Sequence, residues 1–460
     1  MGQALMDYKR FTNYTPQQTT WVFVQRGVGL ANCFMESWPL NLTNDAVEVR
    51  FDASAICTSD VKNIMYPYQR SRIVGKADAT HTFGDVGFDI AGQGIVNGHE
   101  ATFTVTRVGN DVENFRPGQR GILQADLREY KDGQAAGYRI NGAFRGLGIW
   151  GPVLKNYLIK LGRDIGYAEA ALIEGPTCVY ASHDVGPVRD ADKVVWLNGV
   201  GGPMGIMHTE EILLRRKQGK YKGIQALVVS DVNPSRLDAY VKRFERELSN
   251  LGIRLMAFDP TKTGKEAGLP EGGDFKDLKV DYYIELAPCA EITLKNLVAL
   301  RDDAVINVYA SYSQGTGDVT LDNGSQTTLK ACHEANRTCT GMINGRHFTI
   351  TGNSGSSVEH MRTVLKRLED RLIVTDHFAA AVTGYKSLKQ AIDAQDKKRY
   401  NGKIVVFNQI PDLPLMGIEQ LAHLPVEWGD IMADIKRGRF TRQVEDVLLE
   451  HCLANGGRVF

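Results

Sequence analysis

The run Asn198-Gly199-Val200-Gly201-Gly202-Pro203-Met204-Gly205 holds the residues whose types and spacing suit the most specific chemistry in this chain. It follows an apolar segment, Val194 to Leu197, precedes a helix-like run, and leads to a second apolar segment, Ala226 to Val229, closed by Ser230-Asp231. Glycines at a strand-to-helix turn let the backbone approach a pyrophosphate, and the helix N-terminus favours its charge. Gly199, Gly201, Gly202, Pro203 and Met204 are therefore candidate phosphate contacts, and Asp231 a candidate partner for the adenosine ribose hydroxyls. A carboxylate there repels a 2′-phosphate, which favours NAD over NADP. A plain strand-to-helix turn also accounts for the glycines: from Gly199 the third glycine of G-x-G-x-x-G falls on Met204, and Asp231 stands farther away than the usual ~20 residues. The added length lies in the basic stretch Arg215 to Lys222, expected to be solvated. For Asp231 the alternative is a turn residue before Asn233-Pro234.

These residues need a frame of strands and helices. After Val194, apolar segments at Arg254 to Phe258, Tyr282 to Leu286, Ala304 to Val308 and Phe348 to Thr351 alternate with helical patterns, the last at Ser356 to Leu372. That alternation is what a parallel sheet with crossover helices requires. Before it, Trp21 to Val24, Ala46 to Phe51 and Ala101 to Val108 read as strands of a β-rich domain, and residues 168–178 are helical in pattern. Residues 66–97 are rich in Gly, Asp and Arg without period and read as a long excursion. Phe378 to Val382 and Gly402 to Phe407 return to β structure, and Val444 to Leu453 is helical in pattern. The expected class is α/β, divided as 1–188, 189–372, a return at 373–412, and a helical extension at 413–460.

Composition bounds the function. Lys+Arg and Asp+Glu are both 54, so the net charge is zero and there is no basic excess for nucleic acid or a membrane surface. No apolar run approaches the ~18 residues of a transmembrane span, and the charged N-terminus does not read as a signal peptide. The seven cysteines are odd in number and scattered, with no C-x-x-C, which suits a reducing compartment and argues against a closed structural zinc site. A cytoplasmic protein is expected.

Five landmarks in order resemble the zinc-dependent medium-chain alcohol and polyol dehydrogenase family. Ala55-Ile56-Cys57-Thr58-Ser59-Asp60 is similar to its GICGSD-type motif, Gly98-His99-Glu100 to its GHE, and Val108-Gly109 through Phe115-Arg116-Pro117-Gly118-Gln119-Arg120 to its next strand pair. Ile173-Glu174-Gly175-Pro176 is similar to its glutamate-bearing segment, and Val194 to Asp231 to its Rossmann unit. Within the family the pattern looks most like sorbitol dehydrogenases and sorbose-1-phosphate reductases. The resemblance implies a GroES-like catalytic domain plus a doubly wound Rossmann domain. It also implies one catalytic zinc on Cys57, His99 and Glu100, with Glu174 a fourth ligand or a neighbour of one. Ser59 matches the hydroxyl that relays the alcohol proton, although it suits a helix N-cap equally well. Arg236 matches an arginine near the adenine. Adjacent His99 and Glu100 cannot point the same way on a strand, so a turn or bulge is expected there. Lys62, with Arg70, Arg72 and Lys76, could meet a phosphate or carboxylate, or form a solvated basic loop.

The chain departs from the family in places. The Cys57 to His99 interval is roughly double the family's, and cysteines of the structural zinc lobe are missing between Gly121 and Gly166, which implies one zinc per chain. The implied activity is hydride transfer between NAD and a secondary alcohol of a sugar, polyol or sugar phosphate, in a homo-oligomer, dimer or tetramer. Redox-neutral epimerisation or elimination on tightly held NAD is the competing enzyme reading, and dinucleotide binding without catalysis the non-enzymatic one.

Overall fold

The strand Val47–Ile56 is buried along almost its whole length because it runs through the middle of a sheet. The computed structural model describes residues 17–65, 94–127, 135–138, 140–151, 154–162, 164–263, 268–287, 289–310 and 317–455. It divides into two units, Met1–Glu174 with Ser357–Phe460, and Gly175–Ser356.

In the first unit an eight-stranded sheet runs in the order Met416–Gly417, Ala379–Gly384, Lys403–Phe407, Val47–Ile56, Glu100–Val108, Arg120–Leu123 and Leu158–Lys160, with Leu147–Trp150 also paired to Val47–Ile56. All pairs are antiparallel except Ala379–Gly384 with Lys403–Phe407, which are parallel and joined by the helix Leu388–Asp396. A parallel pair needs such a crossover. A second sheet pairs Thr19–Gln25 with Cys33–Pro39 and Ile95–Val96.

Val22, Val24, Ile56, Val61, Ile64, Leu388, Ile392, Ile404 and Val406 form one apolar cluster of this unit. Each such side chain contributes ~1.5–3 kcal/mol on burial, so the strand end at Ile56 and the helix Thr58–Met65, which flank Cys57, are firmly held. The helix Arg442–Ala454 adds a polar tie: the buried Glu445 carboxylate accepts from the N–H groups of Tyr167 and Ala168 at 2.7 and 2.8 Å, at the start of the helix Tyr167–Ala171.

The second unit carries a nine-stranded sheet. Six strands are parallel, in the order Arg254–Phe258, Ala226–Ser230, Val194–Asn198, Val280–Glu285, Leu300–Val308, Arg346–Gly352. The central strands read as continuous apolar runs because both faces are covered. Val194 and Trp196 enter one buried cluster with Val228 and Ile306, whereas Val195 and Leu197 enter the other with Val229 and Ile284. Counted along the chain, this is the 3-2-1-4-5-6 order of the dinucleotide-binding doubly wound fold.

Several expectations are corrected. Residues 168–178, helical in pattern, are shared between two helices, Tyr167–Ala171 and Glu174–Val185. The second lies in the unit of the parallel sheet, where the Ser182 hydroxyl and the Asn307 side chain are hydrogen-bonded; the unit therefore starts at Gly175 where the sequence suggested 189. Conversely Val358–Glu369 falls in the first unit, its Glu369 accepting from Gly162 N–H at 3.1 Å, so the later boundary is at Ser356 and not 372. Three further strands, Thr338–Ile343, Asp318–Leu321 and Gln326–Thr328, extend the parallel sheet in antiparallel sense and were not expected. Of the excursion at 66–97, residues 66–93 lie outside the described residues, and its end is the strand Ile95–Val96.

Candidate functional site

Cys57 stands where the strand Val47–Ile56 ends and the helix Thr58–Met65 begins, and its carbonyl accepts from the N–H groups of Asp60 and Val61. It therefore occupies the capping position, so Ser59, half-buried inside the first turn, is not the N-cap. The capping group is the Asp60 carboxylate, which is fully buried. One oxygen accepts from Cys57 N–H at 3.0 Å; the other accepts from Gly98 N–H at 3.0 Å and lies 3.1 Å from His99 Nδ1. Asp60 thus ties the helix start to the turn before Glu100–Val108 and directs an Nδ1–H of His99 toward itself, leaving Nε2 to face a ligand.

His99 stands just before the strand and Glu100 is its first residue, and Gly98, at a φ of 93°, makes the turn that the adjacent pair requires. Cys57, His99 and Glu100 each offer one ligand atom, and these atoms lie within 4.8 Å of one another; no other such group occurs among the described residues. Glu174 is not part of this set. It opens the helix Glu174–Val185, and its charge acts on Cys57, Glu100 and Lys403.

Lys403 was missed by sequence reasoning. It starts the strand Lys403–Phe407, in which Ile404 pairs with Ile56, and continuing that register one step puts Lys403 beside Cys57. It is buried and its ammonium donates to Glu100 Oε1. The signal was available: a lysine opening a buried Ile-Val-Val-Phe strand needs a partner.

The electrostatics are those of a compact cluster of opposite charges. Burial pushes the Cys57 thiol up, but the charges of Lys403 and His99 overcome it and bring it below its ordinary value, toward the thiolate. Burial opposes the charge on His99, and the Asp60, Tyr138 and Cys57 charges raise it well above the ordinary imidazole value. Burial also lifts the Glu100 carboxyl well above its usual range, with Lys403 opposing. Glu100 Oε2 is buried with no hydrogen-bond partner. A thiolate, an imidazole oriented from behind and a carboxylate oxygen without a partner fit a zinc ion. Lys62 is half-buried on the helix Thr58–Met65, whereas Arg70, Arg72 and Lys76 lie outside the described residues.

In the second unit the glycine turn is tied to the strand Ala226–Ser230. Gly199, at a φ of 91°, and Val200 both donate to the Ser230 carbonyl, and Gly201 N–H donates to Asp231 at 2.6 Å. A methyl group on Gly205 would sit 2.4 Å from the Val200 carbonyl oxygen, so Gly205 is the glycine of close packing that the G-x-G-x-x-G spacing had placed on Met204. Gly202 precedes the helix Pro203–Lys217 with no side-chain cap, and a methyl group there would meet nothing within 4 Å. An uncapped helix N-terminus beside open space fits a pyrophosphate.

Asp231 serves the turn itself: it accepts from Gly201 N–H and, through its other oxygen, from Asn233 N–H at 2.9 Å. Arg236 is half-buried beside Gly201 and its N–H donates to the Asn233 side chain, the cap of the helix Pro234–Asn250. Met204 Sδ lies 3.3 Å from the Tyr309 hydroxyl.

Below the turn is a buried network that the sequence did not disclose. Trp196 Nε1 donates to the Ser230 hydroxyl, which donates to Asn198, whose amide donates to Glu285. Glu285 also accepts from Tyr283, Thr293 and Ala287 N–H. Nor is the basic stretch after the turn wholly solvated. Arg215 is 5% exposed, pairs with Glu211 and donates to the His183 carbonyl, and Tyr221 is 3% exposed, because they cover the end of the helix Glu174–Val185.

Residues 43–179 match the model of the alcohol dehydrogenase GroES-like domain. A sorbitol dehydrogenase of Bombyx mori is 25% identical over 209 residues, which is 43% of this chain and 53% of that protein, so the chain spans about half the length of this relative. Among solved structures, 2R,3R-butanediol dehydrogenase from Bacillus subtilis has a TM-score of 0.59 at 16% identity, covering 85% of this chain and 99% of its own. A putative zinc-binding dehydrogenase from Sinorhizobium meliloti bound to NADP has a TM-score of 0.58 at 15% identity, with 85% and 100% covered. The first unit therefore contains an alcohol dehydrogenase GroES-like domain, and the chain has the α/β fold that these dehydrogenases share.

Proposed function

We propose that this protein is a zinc- and NAD-dependent oxidoreductase that interconverts a secondary alcohol of a sugar, polyol or sugar phosphate with its ketone. The observation that carries the reading is the set of three ligand atoms from Cys57, His99 and Glu100 within 4.8 Å, braced from behind by Asp60. When bound, zinc supplies a Lewis acid that acidifies the alcohol hydroxyl, and NAD supplies the hydride acceptor. Cys57, His99 and Glu100 would hold the metal, and the charges of Lys403 and His99 favour the thiolate of Cys57 that a zinc ion takes. Ser59 carries the alcohol proton away, and Glu174 sets the local field. Gly199, Gly201, Gly202, Pro203 and Met204 receive the pyrophosphate, Asp231 the adenosine ribose, and Arg236 lies toward the adenine.

The carboxylate at Asp231 supports NAD, although the solved neighbour from Sinorhizobium meliloti holds NADP. The polyol and diol in the names of two similar proteins support the substrate class. A cytoplasmic homo-oligomer completes the reading.

Metal analysis of the purified protein is expected to give one zinc per chain. A screen of polyols, sugars and sugar phosphates with NAD and with NADP is expected to give substrate-dependent NADH absorbance. Cys57→Ala and His99→Ala each lose the metal and at least ~100-fold in kcat/KM, the scale of losing an essential Lewis acid. Variants that stay folded, lose the zinc and turn over at the parental rate would sink the proposal.

A further inference from the structure

Away from this site, two thiols of the second unit are held against each other. Cys332 lies on the helix Leu329–Ala335, Cys339 on the strand Thr338–Ile343, and their Sγ atoms are 3.5 Å apart. Asn336, left-handed at the end of the helix, reverses the chain so that the strand folds back alongside it. The helix is fixed from the other side. His333 Nδ1 lies 2.8 Å from the Val308 carbonyl oxygen, and the Cys332 carbonyl packs so closely on Gly352 that a methyl group there would sit 2.2 Å from it. Both side chains reach the same apolar cluster, Cys332 buried within it and Cys339 partly buried against it. The sulfurs need approach by only about 1.5 Å to reach the ~2.05 Å of a disulfide bond.

We propose that Cys332 and Cys339 form a reversible redox-modification site, a dithiol that closes to an intramolecular disulfide by exchange with a low-molecular-weight disulfide such as glutathione disulfide. Cys339 is the attacking thiol because it is the more exposed of the two. A hydrogen bond from Cys332 also brings it down to about 7 against the effect of burial, with Arg337 assisting, while the same contact holds Cys332 far up. The Cys339 thiolate attacks one sulfur of the glutathione disulfide, and the S–S bond breaks to release one glutathione thiolate. Cys332 then loses its proton and displaces the second glutathione from the mixed disulfide. The protein pair loses two electrons and two protons, which reduce the glutathione disulfide to two glutathione thiols. The bond fastens the helix Leu329–Ala335 to the antiparallel extension of the sheet.

The sequence makes the test direct, since trypsin cuts after Lys330, Arg337 and Arg346 and puts the two cysteines on separate peptides. The full chain, undenatured, is equilibrated in glutathione buffers from reduced to oxidised, alkylated, and digested without reduction. Peptides 331–337 and 338–346 are expected to appear joined in the oxidised buffers and to separate after dithiothreitol. Cys332→Ser accumulates glutathione on Cys339, while Cys339→Ser leaves Cys332 free, both variants melting within a few degrees of the parent. The proposal is overturned if both thiols are alkylated on separate peptides at the oxidised end. It is equally overturned if Cys339 stops at the mixed disulfide in the parent chain, or if Cys332 collects glutathione as fast as Cys339.

Discussion

At the scale of single residues, Asp60 does the most with the least. Its two oxygens serve Cys57 N–H, Gly98 N–H and His99 Nδ1, so one carboxylate sets both the backbone and the imidazole of the candidate metal centre. In Asp60→Asn an amide N–H must face a group that itself donates. Zinc affinity is expected to fall ~10–100-fold, the usual cost of losing a partner behind a metal-bound histidine, read by competition with a coloured chelator. Lys403 is the converse case, a cation whose removal exposes a buried anion. Lys403→Met should destabilise the metal-free protein by ~3–5 kcal/mol in urea unfolding, because the Glu100 carboxylate is left without its partner. Combining it with Glu100→Gln should recover most of that loss; a double variant as unstable as Lys403→Met would show that the lysine acts through packing. Cys57, His99 and Glu100 were legible because motif order links them, whereas Lys403 was not, since its partner lies 303 positions away.

Elements fix what those residues can reach. The strand, glycine turn, helix, strand and acid from Val194 to Asp231 were legible, but the glycine spacing was misleading because Gly205, and not the residue before it, packs on the Val200 carbonyl. Gly205→Ala is expected to push the turn out of place and to weaken NAD binding at least ~10-fold, with a loss of ~1–3 kcal/mol for an overpacked contact. Quenching of Trp196, the single tryptophan between residues 175 and 356, reads both. Central strands of the parallel sheet announced themselves by apolar runs buried on both faces. The three antiparallel strands did not, because Asp318–Leu321, Gln326–Thr328 and Thr338–Ile343 are short, polar and largely exposed on one face, leaving little period to read.

For the molecule as a whole, two buried groups of the second unit set opposite pH limits. Burial pushes His208 from 6.5 down to about 3, so the unfolded chain takes up a proton that the native one refuses, and stability is lost as pH falls from 6.5 toward 3. Burial pushes Glu285 from 4.5 up to about 7, against the hydrogen bonds from Tyr283, Ala287 N–H, Thr293 and Asn198. The native unit then holds a proton that the unfolded chain has released, and stability falls as pH rises from 4.5 through 7. Between 4.5 and 6.5 the two slopes oppose each other. Glu285→Gln should therefore gain on the order of 1–3 kcal/mol above pH 7 relative to the parent, with the acid limb unchanged, in unfolding followed by Trp196 fluorescence. A parental slope between 4.5 and 7 in that variant would assign the loss to another group.

The split of the first unit around the second also has a meaning in time. Lys403–Phe407 is the strand that pairs with Val47–Ile56, and it leaves the ribosome only after the whole insertion Gly175–Ser356 has been made. At ~5–20 residues per second the earlier strands wait on the order of 10–50 s for it. Throughout that interval Glu100 has no Lys403 beside it, so the parallel-sheet unit can complete itself during translation before the candidate metal centre closes.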